Sequence, residues 1–85
     1  SLSQLGRLAV GELEIDKSFV FDLTKSARNV KIVRSIIDLA HNFDMTVVAE
    51  GVEDAETLQR LTELGCDYGQ GYFIGRPMTL EAFER

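Results

Sequence analysis

VVAEGVE, Val47 to Glu53, runs a short apolar strand directly into two carboxylates that flank a glycine three residues apart. The β-branched pair Val47 and Val48 reads as a buried strand, and Gly51 lets the backbone turn sharply just beyond it. Glu50 is thereby presented at a strand's C-terminal end. In parallel α/β proteins ligands and catalytic groups collect at that edge, because its loops vary freely while the strands hold them rigidly.

Working outward, Glu12 to Asp16 alternates strictly, with Leu13 and Ile15 on one side and Glu12, Glu14 and Asp16 on the other, which is the period of a strand. Phe19, Val20 and Phe21 form an apolar cluster before a polar loop, Thr24 to Asn29. Val30, Val33, Ile36, Ile37, Ala40 and Phe43 then recur at helical spacing, leaving Arg34, Asp38 and Asn42 for the wet side. Met45 to Glu50 is the second strand. Asp54 is placed to cap a following helix whose Leu58, Leu61 and Leu64 face inward, and Gly65 is its natural stop. Cys66 to Gly71 is the third strand, and Pro77 then breaks the chain before Thr79 caps a short helix containing Leu80 and Phe83. Leu2, Leu5 and Leu8 at three-residue spacing read as the tail of an amphipathic helix ahead of all this.

Strands joined by helices are expected to run parallel, and right-handed crossovers in sequential strand order place the helices on one side of the sheet. The other side then carries Glu14, Asp16, Glu50 and Gln70. Parallel sheets are normally covered on both faces and unpaired edges are a liability, so three such strands predict a piece of a larger fold. A polar inner face suits the last three βα units of a (β/α)8-type barrel, with helices on the outer face and the acids looking into the mouth. A doubly wound sheet is the rival, and it needs helices on the second face.

Composition narrows the classes further. Eighty-five residues with 45% apolar content describe one globular unit, and a chain of this size buries only about 60 to 65% of the surface its unfolded form exposes. The single cysteine, Cys66, excludes an internal disulfide, and no zinc-ligand spacing surrounds it, so a reducing, cytoplasmic setting is expected. A formal charge of −5 argues against a face for a nucleic-acid polymer. No apolar run approaches the roughly 18 residues of a membrane span, and no basic-then-apolar leader is present, so no membrane contact is expected of this segment.

Glu50 and Glu53 near a strand end are suited to bind a divalent cation directly or through water, or to act as a base; an acidic turn beside a helix cap is the plainer account. Glu14 and Asp16 share a strand face with no basic partner on it, which requires water, a cation or a neighbour, unless the face simply lies open to solvent. Gln70 lies between Gly69 and Gly71, where a substrate or another backbone segment can approach closely. His41, late in the long helix, is read as a surface or helix-end residue without a role, and Cys66 as a small packing residue. Phe19, Phe21, Tyr72 and Phe73 are core or rim aromatics, with one of the last pair available to flank a planar ligand such as a purine.

The strings ELEIDKSFV (Glu12–Val20), IVRSIIDLAH (Ile32–His41), VVAEGVE and CDYGQGYFIGRP (Cys66–Pro77) resemble, in order and spacing, the C-terminal portion of the EAL domain, the bacterial cyclic di-GMP phosphodiesterase module. The resemblance covers nearly the whole chain and implies that residues 1–85 are the C-terminal fragment of one such domain. It implies a β/α barrel that, with two Mg²⁺ or Mn²⁺ ions, hydrolyses cyclic di-GMP to linear pGpG. Glu50 matches the glutamate beside the metals and catalytic water, Glu53 the second glutamate that supports the loop, and Gln70 the glutamine of the last barrel strand. Asp16 matches the aspartate of a Lys-Ile-Asp motif; Tyr72, Arg76 and Pro77 fall at the substrate rim.

Two departures qualify the match. The Glu-Ala-Leu motif, the other metal ligands and the Asp-Asp pair belong upstream of Ser1. The Lys-Ile-Asp motif reads Glu14-Ile15-Asp16, so a carboxylate stands where the family has its catalytic lysine, which adds repulsion toward Glu50 and phosphate. Lys17 is adjacent, but strand alternation turns it to the opposite face. The fragment alone is therefore expected to be inactive, to hold no metal tightly and to self-associate through its open sheet edges. The alternative is a degenerate domain acting as a non-catalytic cyclic di-GMP receptor or protein-interaction module.

Overall fold

The computed structural model describes residues 11–71 and 78–80. The expected helix over Ser1 to Leu8, together with Tyr72, Phe73, Arg76, Pro77 and Phe83, lies outside them. Strand β1 (Glu12–Ile15) is followed by a short helix α1 (Lys17–Phe21) and a 3-10 turn (Leu23–Lys25). Helix α2 (Ala27–Asn42), strand β2 (Thr46–Glu50), helix α3 (Ala55–Glu63) and strands β3 (Tyr68–Gln70) and β4 (Met78–Thr79) complete the order.

The sheet runs β1-β2-β3-β4, with the first three strands parallel and β4 antiparallel to β3. The last pairing departs from expectation. Thr79 pairs with Tyr68 in β4 immediately before Leu80, which is helical, and this short return strand covers one of the two edges expected to stand open. A two-residue strand leaves almost no apolar pattern to read, which is why alternation missed it.

Period-2 alternation divides the sheet. Ile15, Ala49 and Gly69 lie abreast on one face and Leu13 lies beside Val47. Ile15, Val47 and Ala49 are 1% exposed or less and join Val33, Ile37 and Ala40 of α2 with Leu58 and Leu61 of α3 in the core. A nine-residue helix such as α3 is marginal alone in water. Burying Leu58 and Leu61, at about 1.5–3 kcal/mol each, decides its stability. Cys66 is a packing residue as expected, and burial pushes its thiol up to about 11.

Capping follows short side chains. Ser26 Oγ accepts the Asn29 N–H at 3.1 Å to open α2, and Asp54 Oδ1 accepts the Thr57 N–H at 2.7 Å to open α3. Both helices close alike: Met45 N–H donates to Ala40 O and Asp44 N–H to His41 O, as Cys66 N–H donates to Leu61 O and Gly65 N–H to Thr62 O. These paired bonds need a left-handed residue, which Gly65 (φ +90°) supplies as read and Asp44 (φ +58°) supplies unannounced.

Asp67 ties the N-terminal ends of the strands together. Its Oδ2 accepts from Val47 N–H at 2.8 Å and lies 2.7 Å from His41 Nε2, while its carbonyl accepts the Leu80 N–H. His41 is thus a helix-end residue with a definite partner, found only once α2 and β3 are brought together.

Asp44 carries a Cβ through a left-handed conformation that glycine adopts freely. Asp44→Gly is expected to raise stability by about 0.5 kcal/mol, read as an upward shift of the urea midpoint with unchanged slope.

Candidate functional site

On the face opposite the helices, Glu12 lies beside Thr46, Glu14 beside Val48 and Tyr68, and Glu50 beside Gln70. Glu14 and Gln70 are exposed and Glu50 is half-buried. The register therefore brings Glu14, Glu50 and Gln70 to one face, with Glu50 and Gln70 at its C-terminal rim. Glu14 sits diagonally across from Glu50, at about 8 Å between Cα atoms from the strand spacing and rise.

Asp16 departs from this ladder. The strand ends at Ile15, and Asp16 becomes the cap of α1: its Oδ2 accepts the Ser18 N–H at 2.9 Å. Hydrogen bonding from Ser18, through hydroxyl and backbone, holds the Asp16 carboxyl below the ordinary 3.8. A capping aspartate competes with strand continuation by offering the turn a local partner, so the alternation stops one residue early. The apolar cluster Phe19, Val20 and Phe21 then belongs to α1, with Val20 fully buried and Phe21 71% exposed. Alternation no longer governs Lys17: it begins α1 and its Cβ lies over Gly51.

The loop after β2 is fixed by contact. Gly51 takes φ +77°, and a Cβ there would fall 2.6 Å from Lys17 Cβ. Val52 is fully buried, and its N–H donates to Gln70 O at 3.0 Å, extending the β2–β3 ladder past Glu50. A Cβ on Gly71 would meet Val52 O at 2.3 Å and Val52 N at 2.5 Å. The glycine after Gln70 thus admits the chain's own backbone. Anchored by Val52, Glu53 is turned to solvent, where it lines a groove with Asp16, Lys17, Ser18, Phe21 and Gly51. Glu53 and Asp16 share this groove, and Glu50 does not line it.

Among the described residues no three His, Cys, Asp or Glu side chains converge as a metal site. Asp16 is engaged by Ser18 and Glu53 lies around the corner of the loop, so among the described residues Glu50 is the one strand-end carboxylate on the inner face. The donor set present does not by itself make a metal centre.

Parallel strands with helices on one face and acids on the other, at a mouth of strand C-terminal ends, define the wall of a β/α barrel. The EAL domain family model matches residues 1–77, and the chain belongs to that family. It is 42% identical over 84 residues to the cyclic di-GMP phosphodiesterase NbdA of Pseudomonas aeruginosa, covering 99% of this chain and 11% of that protein. Among solved structures, the PaMucR phosphodiesterase of P. aeruginosa in complex with c-di-GMP superposes with a TM-score of 0.76 at 40% identity, over 98% of this chain and 34% of that one. The Klebsiella pneumoniae BlrP1 manganese and cyclic di-GMP complex gives 0.73 at 32% identity, over 81% and 18%. The chain spans about a tenth of the length of the first curated relatives it matches. The barrel reading therefore stands over the doubly wound rival.

Gly71→Ala is expected to destabilise the protein by about 1–3 kcal/mol, seen as a lower denaturation midpoint, because the added methyl meets backbone that cannot step aside. The two capping carboxylates set an acid dependence. Asp54, like Asp16, is held below 3.8, here by bonds from the Thr57 backbone and side chain. Their folded-state values lie below the unfolded ones, so the stabilisation is complete above the ordinary carboxylate value and is lost as pH falls through the folded values. Carboxyl chemical shifts followed from pH 7 to 2 should place both midpoints under 3.8, and midpoints above it would contradict the capping geometry.

Proposed function

We propose that this chain is the C-terminal part of an EAL domain whose intact form binds cyclic di-GMP and hydrolyses one of its phosphodiester bonds to give linear pGpG. The carrying observation is the Glu50–Gln70 rung at the C-terminal ends of β2 and β3, on the face opposite the helices. Relatives named cyclic di-GMP phosphodiesterases, and complexes with that nucleotide among the similar structures, support the substrate class.

In this reading Glu50 takes a proton of the attacking water as the water oxygen bonds to phosphorus, and the bond from phosphorus to the 3′ oxygen breaks, that oxygen taking a proton from solvent to leave as the ribose hydroxyl. Gln70, beside it, orients the water through its amide. Glu53 supports the loop, with Tyr72, Arg76 and Pro77 at the substrate rim. Mg²⁺ or Mn²⁺ belongs to the intact domain, a view that the manganese complex of the BlrP1 relative supports. A divalent ion there supplies electrophilic polarisation of the phosphate. The activity is proposed for a cytoplasmic domain; among the described residues no helix is long and apolar enough to cross a membrane. The outer edge of β1 supports self-association of the isolated chain.

A second reading, a receptor that binds cyclic di-GMP without turnover, is favoured by Glu14. It places a carboxylate on the same face as Glu50, where the family pattern has a lysine.

The 85-residue chain with Mn²⁺ and cyclic di-GMP is expected to yield no pGpG by chromatography, and metal-dependent turnover by pure material would overturn the fragment assignment. In the intact domain, Glu14→Lys separates the two readings. A gain of about 100-fold in turnover marks the natural domain as a receptor, whereas strong activity before substitution marks it as an enzyme.

A further inference from the structure

The rim groove holds a cation that the strand pattern had assigned elsewhere. It has a volume of about 370 Å³ and opens at the C-terminal ends of β1 and β2, lined by Asp16, Lys17, Ser18, Phe21, Gly51 and Glu53. Lys17 enters it because Asp16 ends the strand and starts α1, which swings the next side chain over the β2–α3 loop. Its stem packs on Gly51, the residue after Glu50, in a contact that a methyl at that position would not allow.

Three observations bear on the ammonium. Lys17 is exposed, and among the described residues it forms no ion pair, although Asp16 and Glu53 line the same groove. The remaining described lysines and arginines, Lys25, Arg28, Lys31, Arg34 and Arg60, lie in the 3-10 turn and in α2 and α3, on the helical side of the sheet. Phe21, 71% exposed, forms an apolar wall of the same groove. A lysine on a long flexible stem, outside any ion pair among the described residues and seated at the rim, has the chemistry to hold a phosphate oxygen.

We infer that Lys17 is an anion-holding residue of this mouth, binding a phosphate oxygen of the cyclic dinucleotide and so supplying a positive charge that Glu14 cannot. The inference rests on the proposed cyclic di-GMP reading. It makes Lys17 a positioning and affinity residue, while Glu14 stays on the inner face as the source of repulsion that Lys17 offsets. It also gives Gly51 a reason beyond its turn: any side chain there would push the Lys17 stem out of the groove.

The test measures cyclic di-GMP binding by the intact domain by calorimetry at 50 and 200 mM salt. Lys17→Gln retains a stem of similar width over Gly51 but removes the charge, and it should weaken binding roughly tenfold with a shallower salt dependence. Lys17→Arg should bind as the natural protein does. Adding Glu14→Lys to Lys17→Gln should recover most of the loss. Equal affinity of natural protein and Lys17→Gln at both salt concentrations, with melting temperatures unchanged, overturns the role of Lys17 and leaves the substrate reading intact. No binding by the natural domain overturns the substrate reading itself, and the inference with it.

Discussion

Everything at the mouth depends on the seating of Val52. Its side chain is buried in the core, its N–H is bonded to Gln70 O, and its backbone lies against the one face of Gly71 that has no Cβ. The strings AEGVE and GQG are therefore two halves of one contact. Because the contact is backbone on backbone, it sets the positions of Glu50 and Gln70 far more narrowly than packing of side chains alone would. Remove it and the loop bearing Glu53 loses its only core anchor among the described residues.

The remainder of the fold serves that contact from the opposite end. Asp67 gathers His41, Val47 and Leu80 at the N-terminal side of the sheet, and two helix closures of the same kind deliver the chain into β2 and toward β3. Rigid strands then carry this order across to the C-terminal rim. Such a division, with stability at one end and a solvent-facing rim at the other, is general to β/α barrels and explains why several exposed acids are tolerated there. The helix-covered face supplies the burial that offsets them.

Charge at the mouth is the unusual element. The carboxylate of Glu14 shares a face with Glu50, while a lysine three residues later lines the rim groove along a different path. The α1 turn makes that possible, and the turn exists because Asp16 finds a partner in the Ser18 N–H. One local hydrogen bond thus redirects a side chain from the position that strand periodicity assigns it to a position over the loop after β2.

Much of this was legible in the residues. Period-2 and helical spacing located three strands and both long helices, because burial imposes those periods wherever an element has one wet and one dry face. Asp54 and Gly65 announced their caps through side-chain chemistry that acts within a few residues. Family strings singled out Glu50, Gln70 and Glu14 as candidates, and the strand register sets all three on one face. Other features depended on neighbours remote in the chain: β4 needed β3 as a template, and the Asp67 bridge needed α2 beside it. Gly71 needed Val52, and the direction of Lys17 needed both the α1 turn and Gly51. Sequence determines what each short segment prefers and which face it must bury. Tertiary structure alone decides which distant groups meet, because that choice is made by the fit of whole elements and not by the preference of any one of them.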